Sequence, residues 1–238
     1  MTPAAHGPMT MCQPYQATAV DGGTYTLQDD EWGSSAAECV STEGGTGFVV
    51  TKSAIANPAY GNPGSYPDLY AGCNWGACTK GGLTADPPQI IDMNPGSVTT
   101  SLATTDPPGG AYDVSYDIWV NQTPSTPGAP DGLEVMVWLN HHGGVEPAGN
   151  EVASDVQVGG YDYDVWYSSN AGNGPCVTYV MTTARTAVSG LDLGPLFYDA
   201  GQRGYLSASW YLIAVEAGFE IWNGGAGLAV NSFSVALQ

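Results

Sequence analysis

The chain has 238 residues, enough for one substantial hydrophobic core, and all-β folds of this length commonly form a single domain. Four Lys and Arg against 23 Asp and Glu give a formal net charge of −19. Phosphate recognition needs clustered cations, so nucleic acid and anionic membrane surfaces are not expected partners.

The 33 Gly and 17 Pro, beside only 11% charged residues, fit many short strands joined by tight turns. The 14 Tyr and 7 Trp outnumber the 4 Phe, a skew toward aromatics with a polar edge that suits a wet groove better than a dry core. No stretch approaches the length of a membrane span. Of the five cysteines, Cys73 and Cys78 have a spacing seen in metal sites, but no second Cys/His pair lies at zinc-finger spacing.

Residues 1–11 are expected to form a flexible arm, and 12–238 one domain. The first residues lack the apolar run of a signal peptide, so the chain reads as a mature form with an added start Met. A first strand begins at Tyr25 and runs into Asp29, Asp30, Glu31 and Trp32, expected as a solvated acidic turn in preference to a weak calcium site. Residues 47–51 form another strand. Residues 65–78 are a compact loop whose Tyr66, Tyr70 and Trp75 either line a groove or pack the loop down. Pro-Gly turns follow, with one alternating strand from Ser97. In the strand 111–119, Tyr112, Val114, Tyr116 and Ile118 share one face, and Asp113, Ser115, Asp117 and Trp119 the other.

The loop 121–131 is rich in Pro, Thr and Ser and contains a glycosylation sequon at Asn121. It leads into the most informative strand, 132–140. Leu133, Val135, Val137 and Leu139 take its buried side. Glu134, Met136, Trp138 and Asn140 take the other, two residues of rise apart, about 6.5–7 Å. A plain solvent face would carry Lys, Thr or Ser. A carboxylate, a thioether, an indole and an amide in a row suit contact with something flat and hydroxylated, such as a sugar chain. His141 and His142 point to opposite faces, which argues against joint metal ligation. A further strand runs through 159–166. Residues 193–203 predict the one helix, with Leu193, Leu196, Phe197 and Ala200 on one side and Pro195 in its first turn, packed on the back of the sheet.

Residues 211–222 repeat the pattern of the informative strand. Ile213, Val215, Ala217, Phe219 and Ile221 share one face, and Glu216, Gly218, Glu220 and Trp222 the other. Two carboxylates on facing strands, flanked by aromatics, is the arrangement that glycosidic-bond cleavage requires.

Glu-Val-Met-Val-Trp-Leu-Asn at 134–140, followed by Gly-Gly-Val-Glu-Pro-Ala-Gly at 143–149, resembles the nucleophile strand of family-12 glycoside hydrolases. Ala-Gly-Phe-Glu-Ile-Trp at 217–222, with Gly-Leu-Ala-Val-Asn-Ser-Phe at 227–233, resembles their acid/base strand and closing segment. The resemblance runs from about Cys12 to Phe233. It implies an all-β, two-sheet antiparallel jelly-roll sandwich with a curved substrate groove and one short helix. The implied reaction is endo-hydrolysis of β-1,4-glucan with retention, Glu134 acting as nucleophile and Glu220 as acid/base. Glu216 shares a face with Glu220, and the family pattern selects Glu220.

By the same resemblance, Asp117 lies beside the nucleophile and hydrogen-bonds it, and Trp32 is a stacking platform for a sugar. Asp30 stands where the family has Asn, which leaves an acceptor in place of a donor. Tyr66, Trp75, Met136, Trp138, Asn140 and Trp222 are expected to contact substrate. Tyr163 and Trp166 stand where the family has aromatics. The implied disulfides are Cys12–Cys39 and Cys73–Cys78, leaving Cys176 over, and they imply a secreted protein. No cofactor and no metal is called for. The expected partner is a β-glucan, and the expected state a monomer. The alternatives are a xylanase of the related jelly-roll family and a non-catalytic, lectin-like carbohydrate-binding module.

Overall fold

The computed structural model describes residues 8–238. In chain order its strands begin with β1 (Met9–Met11), β2 (Gln16–Val20), β3 (Tyr25–Asp29), β4 (Glu38–Thr42), β5 (Phe48–Ser53) and β6 (Asp68–Asn74). Next come β7 (Ala77–Cys78), the one-turn helix α1 (Gly82–Ala85), β8 (Val98–Thr105), β9 (Ala111–Asn121), β10 (Leu133–His142) and β11 (Asn150–Val158). The chain closes with β12 (Tyr161–Ser168), β13 (Cys176–Met181), β14 (Ala187–Asp192), helix α2 (Gly194–Gln202), β15 (Tyr211–Gly218), β16 (Ile221–Asn223) and β17 (Ala229–Leu237).

Two sheets form the sandwich expected from the sequence. The larger has the order β11-β12-β13-β10-β9-β15-β6-β3-β2, with β16 beside β9 and β7 beside β6; the smaller runs β1-β4-β5-β17-β8-β14. Pairing is antiparallel except between β10 and β13, which run parallel. Strict alternation explains the core. Val114, Tyr116 and Ile118 of β9 and Leu133, Val135, Val137 and Leu139 of β10 are buried against Phe48, Val50, Leu102 and Phe233 of the smaller sheet. The other side of the larger sheet, its open face, carries a second apolar cluster that includes Met136, Trp138, Cys176 and Trp222.

One expected face assignment is wrong. Leu212 and Ala214 lie opposite the adjacent residues Val120 and Trp119, so Ile213 is an extra residue in a bulge. Ile213 therefore packs with Trp119 on the open face, while Leu212 joins the main core. Gly72, with φ +105°, accommodates this bulge, because a Cβ there would lie 2.1 Å from the Ile213 carbonyl oxygen.

Helix α2 forms where the sequence predicts it, burying Leu196, Phe197 and Ala200. The Tyr179 hydroxyl donates to Leu196 O at 3.3 Å and to Asp199 Oδ2 at 2.9 Å. Tyr179 lies in register with Val137, so the helix packs on the core side of β13, away from the open face. Both expected disulfides are formed, and Cys176 is free and buried.

Two expectations need correction. The flexible arm does not extend to 11, because Met9–Met11 pairs with β4 and Met11 is buried; residues 1–7 lie outside the described residues. The acidic turn is not solvated. Asp29 occupies the buried phase of β3 and faces Glu38 of β4; both are fully buried, and Glu31 nearly so. Burial first, then the nearby charges of Glu38 and Glu31, pushes Asp29 up to about 7, so the buried pair retains a proton. At the sequon, the Asn121 side chain is a loop staple. Asn121 is buried, its Nδ2 donating to Ser125 O at 2.7 Å while its Oδ1 accepts from Asp131 N at 3.0 Å.

Candidate active site

The register of five strands sets side chains of the open face in rows. Directly opposed residues in a sheet have Cβ atoms about 4.5–5.5 Å apart. The first row holds Cys176 (β13), Glu134 (β10), Trp119 (β9) and Ala214 (β15). The second holds Thr178, Met136, Asp117, Glu216 and Tyr70, the last on β6. A third holds Trp138, Ser115, Gly218 and Asp68. Glu134 is half-buried, whereas Asp117, Glu216 and Asp68 are buried.

Glu220 reaches this face from the short connection between β15 and β16. At Gly218 a Cβ would lie 2.1 Å from the Pro67 carbonyl oxygen, so only glycine permits the close approach of β6 there. Phe219 then turns into the core, packing edge-on against Phe48, and Glu220 turns out. Asp113 holds it in two ways. The Asp113 N–H donates to Glu220 O at 3.0 Å, and the Glu220 N–H donates to Asp113 Oδ1 at 3.2 Å. Ser115 Oγ donates to the same Oδ1 at 2.7 Å. Glu220 stays half-buried, whereas Glu216 is 1% exposed and accepts Asn74 Nδ2 at 3.0 Å. Of the two carboxyls on that face, only Glu220 is open to a ligand.

The electrostatics follow from burial and from a lack of cations. Lys52 is on β5 of the other sheet, Lys80 bonds Gly22, Arg185 lies over the Tyr161 ring, and Arg203 pairs with Asp199. Burial first, then repulsion from Glu220, pushes Glu134 up to about 8, with the neighbouring Cys176 thiol opposing that shift. Burial, then the charge of Asp113 and a side-chain hydrogen bond with it, pushes Glu220 well up. Asp113 itself is raised by burial to about 6. The two carboxyls thus sit in unlike surroundings, Glu134 beside a thiol and Glu220 beside a second carboxyl.

Asp117 lies where expected, one step diagonally from Glu134. Burial first, then the nearby charges of Glu134 and Glu216, hold its carboxyl well above the usual range, and its Oδ1 has no hydrogen-bond partner. Trp32 is 44% exposed on the loop after β3, fixed where Tyr66 N donates to Asp30 O and Gly33 N to Gly64 O, both at 2.8 Å. Trp75 is 42% exposed and stands edge-on to Trp119 at 4.9 Å.

The remaining expected contacts are less available. Trp138 is 1% exposed, packed against Trp222, whose own indole N–H donates to Gly61 O. These two indoles form the floor under the cleft. Met136 and Tyr66 are also buried, the Tyr66 hydroxyl donating to Ser115 O. Asn140 is a staple, its Nδ2 donating to Asp106 Oδ2 and its Oδ1 accepting from His141 N.

Three residues at the centre of the site carried no assigned role in the sequence: Asp113, Cys176 and Trp119. Alternation had put Asp113 on the right face, and that was the available signal. Among the described residues, no group of three or more His, Cys, Asp and Glu is arranged to hold a metal ion.

The model of the family described as "Glycosyl hydrolase family 12" matches residues 23–238. The chain belongs to that family. Its similarity to a probable cellulase, Cel12b, of Mycobacterium tuberculosis is 36% identity over 142 residues, 60% of this chain and 91% of that one. Endoglucanase A of Aspergillus kawachii is 29% identical over 62% of each chain. Among solved structures, endoglucanase cel12A from Rhodothermus marinus superposes with a TM-score of 0.89 at 37% identity, covering 97% of this chain and 99% of the other. A metagenome-derived family 12 endoglucanase also gives 0.89, at 34% identity over 97% and 98%. Family membership makes the protein an endo-acting, retaining glycoside hydrolase of β-glucans, and the xylanase and lectin alternatives give way to it.

Proposed function

We propose that Glu134 is the nucleophile and Glu220 the acid/base of β-1,4-glucan cleavage. The observation that carries this is the pairing of two half-buried carboxyls with unlike surroundings on one cation-free face. A Glu134 oxygen attacks the anomeric carbon as the glycosidic C–O bond breaks, and Glu220 gives its proton to the departing oxygen. The ester at Glu134 is then cleaved by water, whose proton passes to Glu220. Two inversions return the original anomeric configuration. Asp117, kept protonated by burial and the neighbouring carboxyls, stands diagonally beside Glu134 and helps to orient it.

Trp32 and Trp75, the exposed indoles, are the platforms for sugar rings along the cleft. The substrates are internal linkages of cellulose, mixed-linkage glucan and xyloglucan. The catalytic unit includes β1 at Met9–Met11 and acts as a monomer. Two disulfides support work in an oxidising, extracellular setting. Release of reducing ends from carboxymethyl cellulose, mixed-linkage glucan, xyloglucan and xylan tests the reading. Turnover on the glucans and its loss in Glu134→Gln are expected; preferred turnover of xylan, or full activity in Glu134→Gln, would overturn it.

A further inference from the structure

Among the described residues, no Lys or Arg holds Glu134. The ionisable groups that face it are Glu220 from the β15–β16 connection, Asp117 from β9 and Glu216 from β15, all of them carboxyls. Ionised, they would push a free carboxylate out of line. β13 supplies a different kind of neighbour.

Cys176 is the register partner of Glu134 across the parallel β10–β13 pair, and the Glu134 N–H donates to Pro175 O at 3.1 Å, which locks the two backbones at this level. The thiol is 1% exposed and packed in the cluster that holds Met136, Trp138 and Trp222. Its Sγ lies 3.6 Å from Thr178 Oγ1, the next side chain on the same face of β13. With the Thr178 hydroxyl donating to sulfur, the thiol proton is left for Glu134, and each bond in such a chain strengthens the next.

We propose that Cys176 is a positioning residue: its S–H, backed by Thr178, donates to the Glu134 carboxylate and keeps that carboxylate aimed across the cleft. The inference rests on Glu134 being the nucleophile. A thiol suits the place because burial and the neighbouring carboxyls hold it neutral, so it remains a donor and adds no further negative charge. It also accounts for the one cysteine outside the two disulfides.

The test compares Cys176→Ala with Cys176→Ser on a soluble β-glucan, reading kcat, KM, the acid limb of the pH profile and the melting temperature. Loss of one hydrogen bond of ordinary strength, about 1–1.4 kcal/mol, that aims the nucleophile predicts a kcat about fivefold to tenfold lower in Cys176→Ala, with KM little changed. The acid limb should move to higher pH, because Glu134 loses the bond that favours its charged form. Cys176→Ser, which keeps a donor, should return both toward the parent values. A filled cavity alone would give a lower melting temperature in Cys176→Ala with kcat and the acid limb unmoved, and that result overturns the proposal. Labelling by an activated fluorinated cellobioside separates the two failures. An adduct on Glu134 with an unmoved acid limb sinks only the role of Cys176, whereas an adduct elsewhere sinks both assignments.

Discussion

Replacing Trp32 by Ala tests whether the open face grips a polysaccharide. An indole side chain presents roughly 250 Å², and at 44% exposure about 110 Å² of it faces solvent. A pyranose ring stacked on one side covers about half of that, or about 55 Å². At about 25 cal/mol per Å² this contributes about 1.4 kcal/mol, a tenfold change in affinity. The loop that carries Trp32 is fixed by the backbone bonds of Gly33 and Tyr66, neither of which uses the indole. Trp32→Ala should therefore raise KM on long glucans about tenfold. The melting temperature should stay within about 2 °C of the parent, as for an ordinary surface change in a chain of this size. The assay is initial rates on mixed-linkage glucan and on a short activated aryl cellobioside, beside a thermal melt. A drop of many degrees with unchanged KM on the long substrate would make Trp32 a packing residue and refute the stacking argument.

Two further outcomes follow from the carboxyl pairs. Asp113→Asn keeps an oxygen for the Glu220 N–H but removes the charge and shared proton that push Glu220 up, so the alkaline limb of kcat/KM should move to lower pH; an unmoved limb would deny that Asp113 tunes the acid. Asp29 has its folded value raised to about 7, above its unfolded value of about 3.9, so the folded state holds the extra proton between them. Its contribution to stability is full below about pH 4 and is lost as the pH rises through about 7, at up to about 1.4 kcal/mol per pH unit. Asp29→Asn should flatten the fall in melting temperature across that window, and an unaltered fall would contradict the buried Asp29–Glu38 pair.

Much of this was legible in the chain because a strand's two faces repeat every second residue. The buried sides of β9 and β10 read correctly from Val114, Ile118, Leu133 and Val137, and Glu134, Asp117 and Glu220 fell on the open side for the same reason. What alternation cannot supply is depth and register. Trp138 was on the right face, yet Trp222 packs against it and Val180 stands in register beside it, so it lies beneath the surface a sugar would touch. Ile213 was assigned to the core because a bulge leaves no local mark; its cause is the opposing backbone at Gly72. Asp29 looked solvated because its burial depends on Glu38, a residue of the other sheet. Cys176 meets Glu134 only because β13 runs parallel to β10, and nothing near either residue in the chain announces that pairing.

With Glu134 as nucleophile, catalysis passes through an ester on its carboxyl. An activated 2-fluoro cellobioside forms that ester quickly and leaves it slowly, so the protein can be trapped, digested and mapped by mass spectrometry. One fluorocellobiosyl group per chain is expected, on the peptide containing Glu134, and released by added cellobiose with recovery of activity. An adduct on Glu216, Asp117 or Glu220, or complete inactivity toward the reagent in a preparation that still cleaves β-glucan, would contradict it.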